Sequence, residues 1–100
     1  MTLAYITCKN KKEAERISKH LLEKRIIACS NMMPMRSMYR WNSKIENANE
    51  MLIIAKTNDR NFNKIITETR KIHSYKLPCI VKIDSKASKD FENWAEKEMR

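Results

Sequence analysis

Met51-Leu52-Ile53-Ile54-Ala55, inside the stretch NEMLIIAKT (Asn49–Thr57), places five apolar residues in a row. A strand turns alternate side chains to opposite faces, so a run of this kind leaves neither face polar. Both faces then call for cover. Each large side chain left in water there forgoes roughly 1.5–3 kcal/mol.

The neighbouring segments say what covers one face. Downstream, Thr57-Asn58 is a capping pair, and Phe62, Ile65, Ile66, Thr69 and Ile72 follow at helical spacing. His73–Pro78 reads as a loop and Cys79–Ile83 as a strand. Upstream, Ile26–Met33 reads as a strand, with Pro34 marking an edge or a bend because it has no N–H for a ladder. Arg36–Trp41 continues extended, and Asn42–Lys44 is a turn. Nearer the start, Leu3–Cys8 is a strand. Asn10 and Glu13 form a cap pattern for a helix carrying Ala14, Ile17, Leu21 and Leu22, closed by Lys24 and Arg25. A last helix, capped by Ser88, carries Phe91, Trp94 and Ala95.

The order is β-α-β-β-α-β plus a terminal helix, in one domain spanning residues 1–100. This predicts an α+β, ferredoxin-like sandwich: an antiparallel sheet with two helices on one face. The helices cover one side of Met51–Ala55. Another copy of the same sheet is the simplest cover for the other, so the run predicts a homo-oligomer.

The chain has no glycine. Gly-rich phosphate loops are therefore excluded, and no nucleotide cofactor is expected. Turns must use Asn and its like, which tolerate the left-handed region best among the other residues. Three cysteines at wide spacing, Cys8, Cys29 and Cys79, form no disulfide framework and no zinc-knuckle pattern. No apolar run approaches the ~20 residues that cross a bilayer, and the first residues lack the features of a signal peptide. We expect a soluble, cytoplasmic protein with reduced thiols and no membrane partner. The formal net charge of +9 is spread along the chain rather than gathered in a basic block, which fits a solvated surface.

Several motifs resemble the CutA family, the divalent-cation tolerance proteins. Glu13-Ala14, Ala28-Cys29-Ser30-Asn31, Pro34 and Ser37-Met38-Tyr39-Arg40-Trp41 match its patterns in order and spacing. So do Lys56-Thr57, then His73, Tyr75 and Pro78, and Trp94 in the last helix. The resemblance implies a tight homotrimer with the sheets packed inward, a cytoplasmic location, and binding of divalent metals, Cu(2+) above all. It implies a role in metal tolerance without an enzymatic reaction, and a subunit arrangement like that of the PII signalling proteins. The chain departs from the family at three points. Asn42-Ser43 stands where the family has Gly after the Trp, Ser74 replaces a Pro, and Lys76 replaces a Glu.

Two candidate sites follow. The resemblance puts Cys29 near a cleft between subunits, where His73 can approach from the loop; the two are the expected metal ligands, since thiolate and imidazole suit copper and zinc. Tyr39, Trp41, Lys56 and Tyr75 are the expected walls of an inter-subunit pocket for a small anion or a planar ligand. Met32, Met33, Met35 and Met38 cluster after Cys29, but Met32 and Met33 face opposite ways on a strand. They are expected to fill core and a subunit contact rather than form a copper cage. There is no HExxH motif, no i, i+4 His pair and no paired carboxylates set for acid–base work. The alternative reading is an RNA-binding module, which shares the element order. Met51–Thr57 carries none of the stacking aromatics such a module needs, so a nucleic-acid partner is not expected.

Overall fold

The computed structural model describes residues 1–100. In chain order the elements are β1 (Thr2–Cys8), α1 (Lys11–Glu23), β2 (Cys29–Trp41), β3 (Lys44–Thr57), α2 (Asp59–Ile72), β4 (Ile80–Asp84) and α3 (Lys89–Glu98). The four strands form one antiparallel sheet in the order β2-β3-β1-β4. This is the expected ferredoxin-like arrangement.

Register settles the two faces. Ala4 pairs with Ala55 and Ile6 with Ile53. Those four are fully buried with Ala14, Ile17 and Leu21 of α1 and Ile65 of α2. Fully burying Ile53 alone is worth roughly 1.5–3 kcal/mol. The opposite parity carries Leu3, Tyr5, Leu52, Ile54, Val81 and Ile83, which pair across β1, β3 and β4. None of them joins the core. Val81 is 46% exposed and Ile83 40%. The central run thus has one face under helices and one apolar face that nothing in the chain covers.

The helix ends follow the sequence. The Asn10 side chain accepts from Glu13 N, and Asn58 does the same for Asn61 N. At the end of α1, Arg25 takes φ 59°. Arg25 N donates to Leu22 O and Ile26 N to Leu21 O, the paired bonds of a Schellman close. Glycine is the usual residue at this point. Here the Arg25 guanidinium compensates by donating to the carbonyls of Glu98 and Lys97, tying α1 to the end of α3.

Two boundaries and one burial differ from expectation. The second strand runs to Trp41, straight through Pro34, because β2 is an edge strand and an edge has one row of N–H groups without ladder partners. The third begins at Lys44 rather than Asn49. Its polar first half gives no periodic signal and is held by backbone pairing with β2. Two residues, Asn42 (φ 49°) and Ser43 (φ 64°), close the hairpin, the geometry of a type I′ turn. Third, the methionines are not core: Met32 is 40% exposed, Met33 38% and Met38 71%. They sit on an edge strand, where only the Ser30 end lies under α1.

Pairing between β1 and β3 stops at Cys8 opposite Met51. Residues 36–49 therefore form a two-stranded arm beyond the body, which stretches the molecule to 45 Å against 25 and 21 Å. Met38, Tyr39, Trp41 and Ile45 are exposed on it. No helix of the chain is long and apolar enough to cross a membrane.

Candidate functional site

The loop that follows α2 builds two adjoining sites at the arm end of β1. Helix α2 closes with His73 as its C-cap. The loop then crosses the strand ends and returns as β4. His73 Nε2 lies 2.8 Å from Thr7 O, and its Nδ1 accepts from Tyr75 N at 3.0 Å. These bonds fix the tautomer, with the proton on Nε2. The two rings of His73 and Tyr75 are 4.9 Å apart.

The first site is beneath the helices. One ligand atom from each of Cys8, Glu13 and His73 falls within 4.8 Å of the others. Cys8 is the last residue of β1 on the core face. Burial, with Glu13 and Glu50 adding repulsion, pushes its thiol up to about 12. Glu13 is 2% exposed. Its Oε1 accepts from Lys9 N at 3.0 Å and its Oε2 from Ser74 N at 2.8 Å. Burial pushes this carboxyl up, but those N–H groups outweigh it and hold it below the usual carboxylate range. Glu13 therefore clamps the α1 entry to the loop.

The second site is on the other face. Tyr39 and Trp41 project from β2 on the parity of Ser37, and Glu50 projects from β3 on the same face. With Thr7, Tyr75, Lys76, Leu77 and Cys79 they line a pocket of about 460 Å³. Tyr75 Oη donates to Glu50 Oε2 at 2.6 Å. Burial and the Glu50 carboxylate both push the Tyr75 phenol upward.

Of the expected pocket residues, Tyr39, Trp41 and Tyr75 come together, and Lys56 does not. Lys56 pairs with Leu3 and Cys29 near the far end of the sheet and bonds Asn31. Within one chain the pocket holds Glu50 in its place, a negative charge, with Lys76 on the loop side. Of the expected metal ligands, His73 is in the first site and Cys29 is not. Cys29 is level with Leu3 of β1, whereas His73 meets Thr7. Four strand residues separate those levels, roughly 13 Å, too far for one ion within a chain. Cys8 is the thiol that stands beside His73.

The sequence profile described as CutA1 divalent ion tolerance protein matches residues 2–98. The chain is 43% identical to the divalent-cation tolerance protein CutA of Archaeoglobus fulgidus over 91 residues, covering 90% of this chain and 89% of that one. It is 33% identical to the protein of the same description from Pyrococcus horikoshii, covering 94% of this chain and 93% of that one. The crystal structure of CutA1 from P. horikoshii superposes with a TM-score of 0.96 at 32% identity, over 100% of this chain and 99% of that one. The A. fulgidus structure, described as a periplasmic divalent cation tolerance protein, gives 0.95 at 40% identity, over 98% of each.

Proposed function

Because this chain belongs to the CutA1 divalent-ion tolerance family, we propose that it is a homotrimeric binding protein that takes up a divalent cation, copper foremost, in response to metal load, and catalyses no reaction. The observation that carries the metal reading is the grouping of Cys8, Glu13 and His73. Thiolate, carboxylate and imidazole are a donor set that copper and zinc accept. These residues would hold the ion, which would supply a charge that the loop feels directly. The ion must displace the Cys8 proton and compete with the bonds that occupy Glu13 and His73. Binding therefore strengthens as pH rises and rearranges residues 73–75.

The trimer reading rests on the uncovered face and on the arm. A two-stranded ribbon is marginally stable alone, and this one exposes Met38, Trp41 and Ile45. Neighbouring copies supply what both lack. The pocket beside the arm suits a signalling role like that of the PII proteins, with a small ligand read at the subunit boundary. We place the protein in the cytoplasm, since its three thiols are free and thiols stay reduced there.

Two measurements test this. Light scattering reads the mass, expected at three times 11.9 kDa; a monomer at micromolar concentration overturns the assembly. Calorimetric titration with Cu(2+) is expected to give one ion per chain. Cys8→Ser and His73→Ala should each weaken it at least tenfold, and Cys29→Ala should leave it intact. Equal affinity in all four proteins removes these residues as ligands.

A further inference from the structure

Two consecutive backbone donors of the loop after α2 enter the cluster of Cys8, Glu13 and His73. Ser74 N donates to Glu13 Oε2 at 2.8 Å, and Tyr75 N donates to His73 Nδ1 at 3.0 Å. His73 Nε2 is engaged with Thr7 O, so Nδ1 carries the one ring lone pair. Glu13 Oε1 is held from the other side, by Lys9 N ahead of α1. The two acceptor atoms that face the loop are therefore both occupied by it. An N–H group offers an acceptor the positive end of a dipole, the same sign of charge that a cation offers. The chain thus sets on Glu13 and His73 a weaker stand-in for an ion.

The same turn is fastened from its far side. Tyr75 Oη donates to Glu50 Oε2 at 2.6 Å. Residues 74 and 75 can leave only by giving up three hydrogen bonds, two of them to carboxylates, which are the stronger kind. The backbone shows which change would weaken this hold alone. His73 has φ −76° and ψ 139°, the extended geometry that a residue takes before proline. Ser74 itself is exposed. Proline at 74 therefore meets no obstacle from His73, and it lacks the N–H that caps Glu13.

We propose that residues 74 and 75 are a self-inhibiting gate on the Cys8, Glu13 and His73 site: their amides occupy Glu13 and His73 until a divalent cation displaces them, and the Tyr75–Glu50 bond latches the gate shut. This rests on the metal reading above and adds the element that sets its affinity. Ser74 and Tyr75 act through Glu13 and His73 and are positioning residues, not ligands. Displacing the Tyr75 amide moves its ring as well, so occupancy beneath the helices is carried to Glu50 on the opposite face.

Calorimetry on the full chain with Zn(2+), which takes thiolate, imidazole and carboxylate without redox chemistry, tests this. Ser74→Pro deletes one gate amide and should tighten Zn(2+) about tenfold, the weight of one hydrogen bond to a charged acceptor. Ser74→Ala keeps that amide and should change the affinity less than threefold. Tyr75→Phe removes the latch and should tighten binding three- to tenfold. Amide hydrogen exchange read by NMR follows the gate directly. The Ser74 and Tyr75 amides should be protected in the metal-free protein, and saturating Zn(2+) should speed their exchange at least tenfold while β1 and β3 stay protected. If Ser74→Pro binds no tighter than Ser74→Ala, or if both amides stay protected with zinc bound, the gate is overturned; the metal site still stands if Cys8→Ser and His73→Ala bind more weakly. Absence of Zn(2+) binding, or equal binding by wild type, Cys8→Ser and His73→Ala, overturns the gate together with the site it covers. If circular dichroism finds Ser74→Pro unfolded, Tyr75→Phe and the exchange measurement on the wild type decide.

Discussion

Tyr75 and Glu50 are joined by a 2.6 Å hydrogen bond between the loop after α2 and the last polar residue of β3 before the apolar run. A bond to a charged acceptor contributes about 1.5–3 kcal/mol. Tyr75→Phe should therefore lower stability by about 2 kcal/mol, read as a fall in the guanidinium midpoint with unchanged slope. Coincident unfolding curves for variant and wild type would show the bond to be without weight.

The two faces of the central run should respond differently to substitution. Ile53→Ala opens a cavity in the core and should cost about 2–5 kcal/mol while leaving the assembly intact. Leu52→Glu places a charge on the uncovered face and should leave each chain folded but monomeric by light scattering. If Leu52→Glu stays trimeric, that face is not the contact.

Residues Arg25 and Ser43 share a left-handed backbone, yet should not gain equally from glycine. Ser43→Gly creates the Asn-Gly pair that type I′ turns favour, and should stabilise by about 1 kcal/mol. Arg25→Gly relieves the same strain but deletes the two bonds to the α3 carbonyls, so no net gain is expected. Thermal unfolding of the two variants side by side separates the contributions.

Glu68 bridges the helices. Its hydrogen bonds from Lys71 and His20, with Lys24 nearby, hold its carboxyl down at about 2 against an ordinary 4.5. A lowered value means that the folded chain favours the ionised form. The stabilisation is present above about pH 4.5 and is lost as pH falls towards 2. The stability difference between wild type and Glu68→Gln should shrink as pH falls below about 5. A pH-independent difference would contradict this.

Thiol chemistry should rank the cysteines by enclosure. Cys8 is fully buried, while Cys29 and Cys79 are half-buried. Iodoacetamide at neutral pH, followed by peptide mass spectrometry, should label Cys8 last, since the thiolate is the reacting form and burial disfavours it.

Much of this architecture was legible in parity and spacing. Met51–Ala55 set the sheet, Asn10 and Asn58 set the helix starts, and Asn42-Ser43 set the turn. The arm was less so, because Lys44–Asn49 is polar on both faces and its strand comes from pairing alone. The candidate sites were legible in part. The motif through Tyr39, Trp41 and Tyr75 led to the pocket, but Lys56 was misplaced because register, not composition, decides which end of a strand a residue serves. Cys8 was missed as a neighbour of His73 because their contact depends on where a loop lands. Glu50 did leave a signal: an acid directly before an apolar run, on the parity of Leu52 and Ile54, belongs to a face that has no polar reason to be there.

Residue 75 answers to two masters. Its amide holds the imidazole of His73, and its hydroxyl holds the carboxylate of Glu50, so an occupant on either side of the sheet tugs the same short tether. Three consecutive residues suffice to make the two faces of the sheet converse.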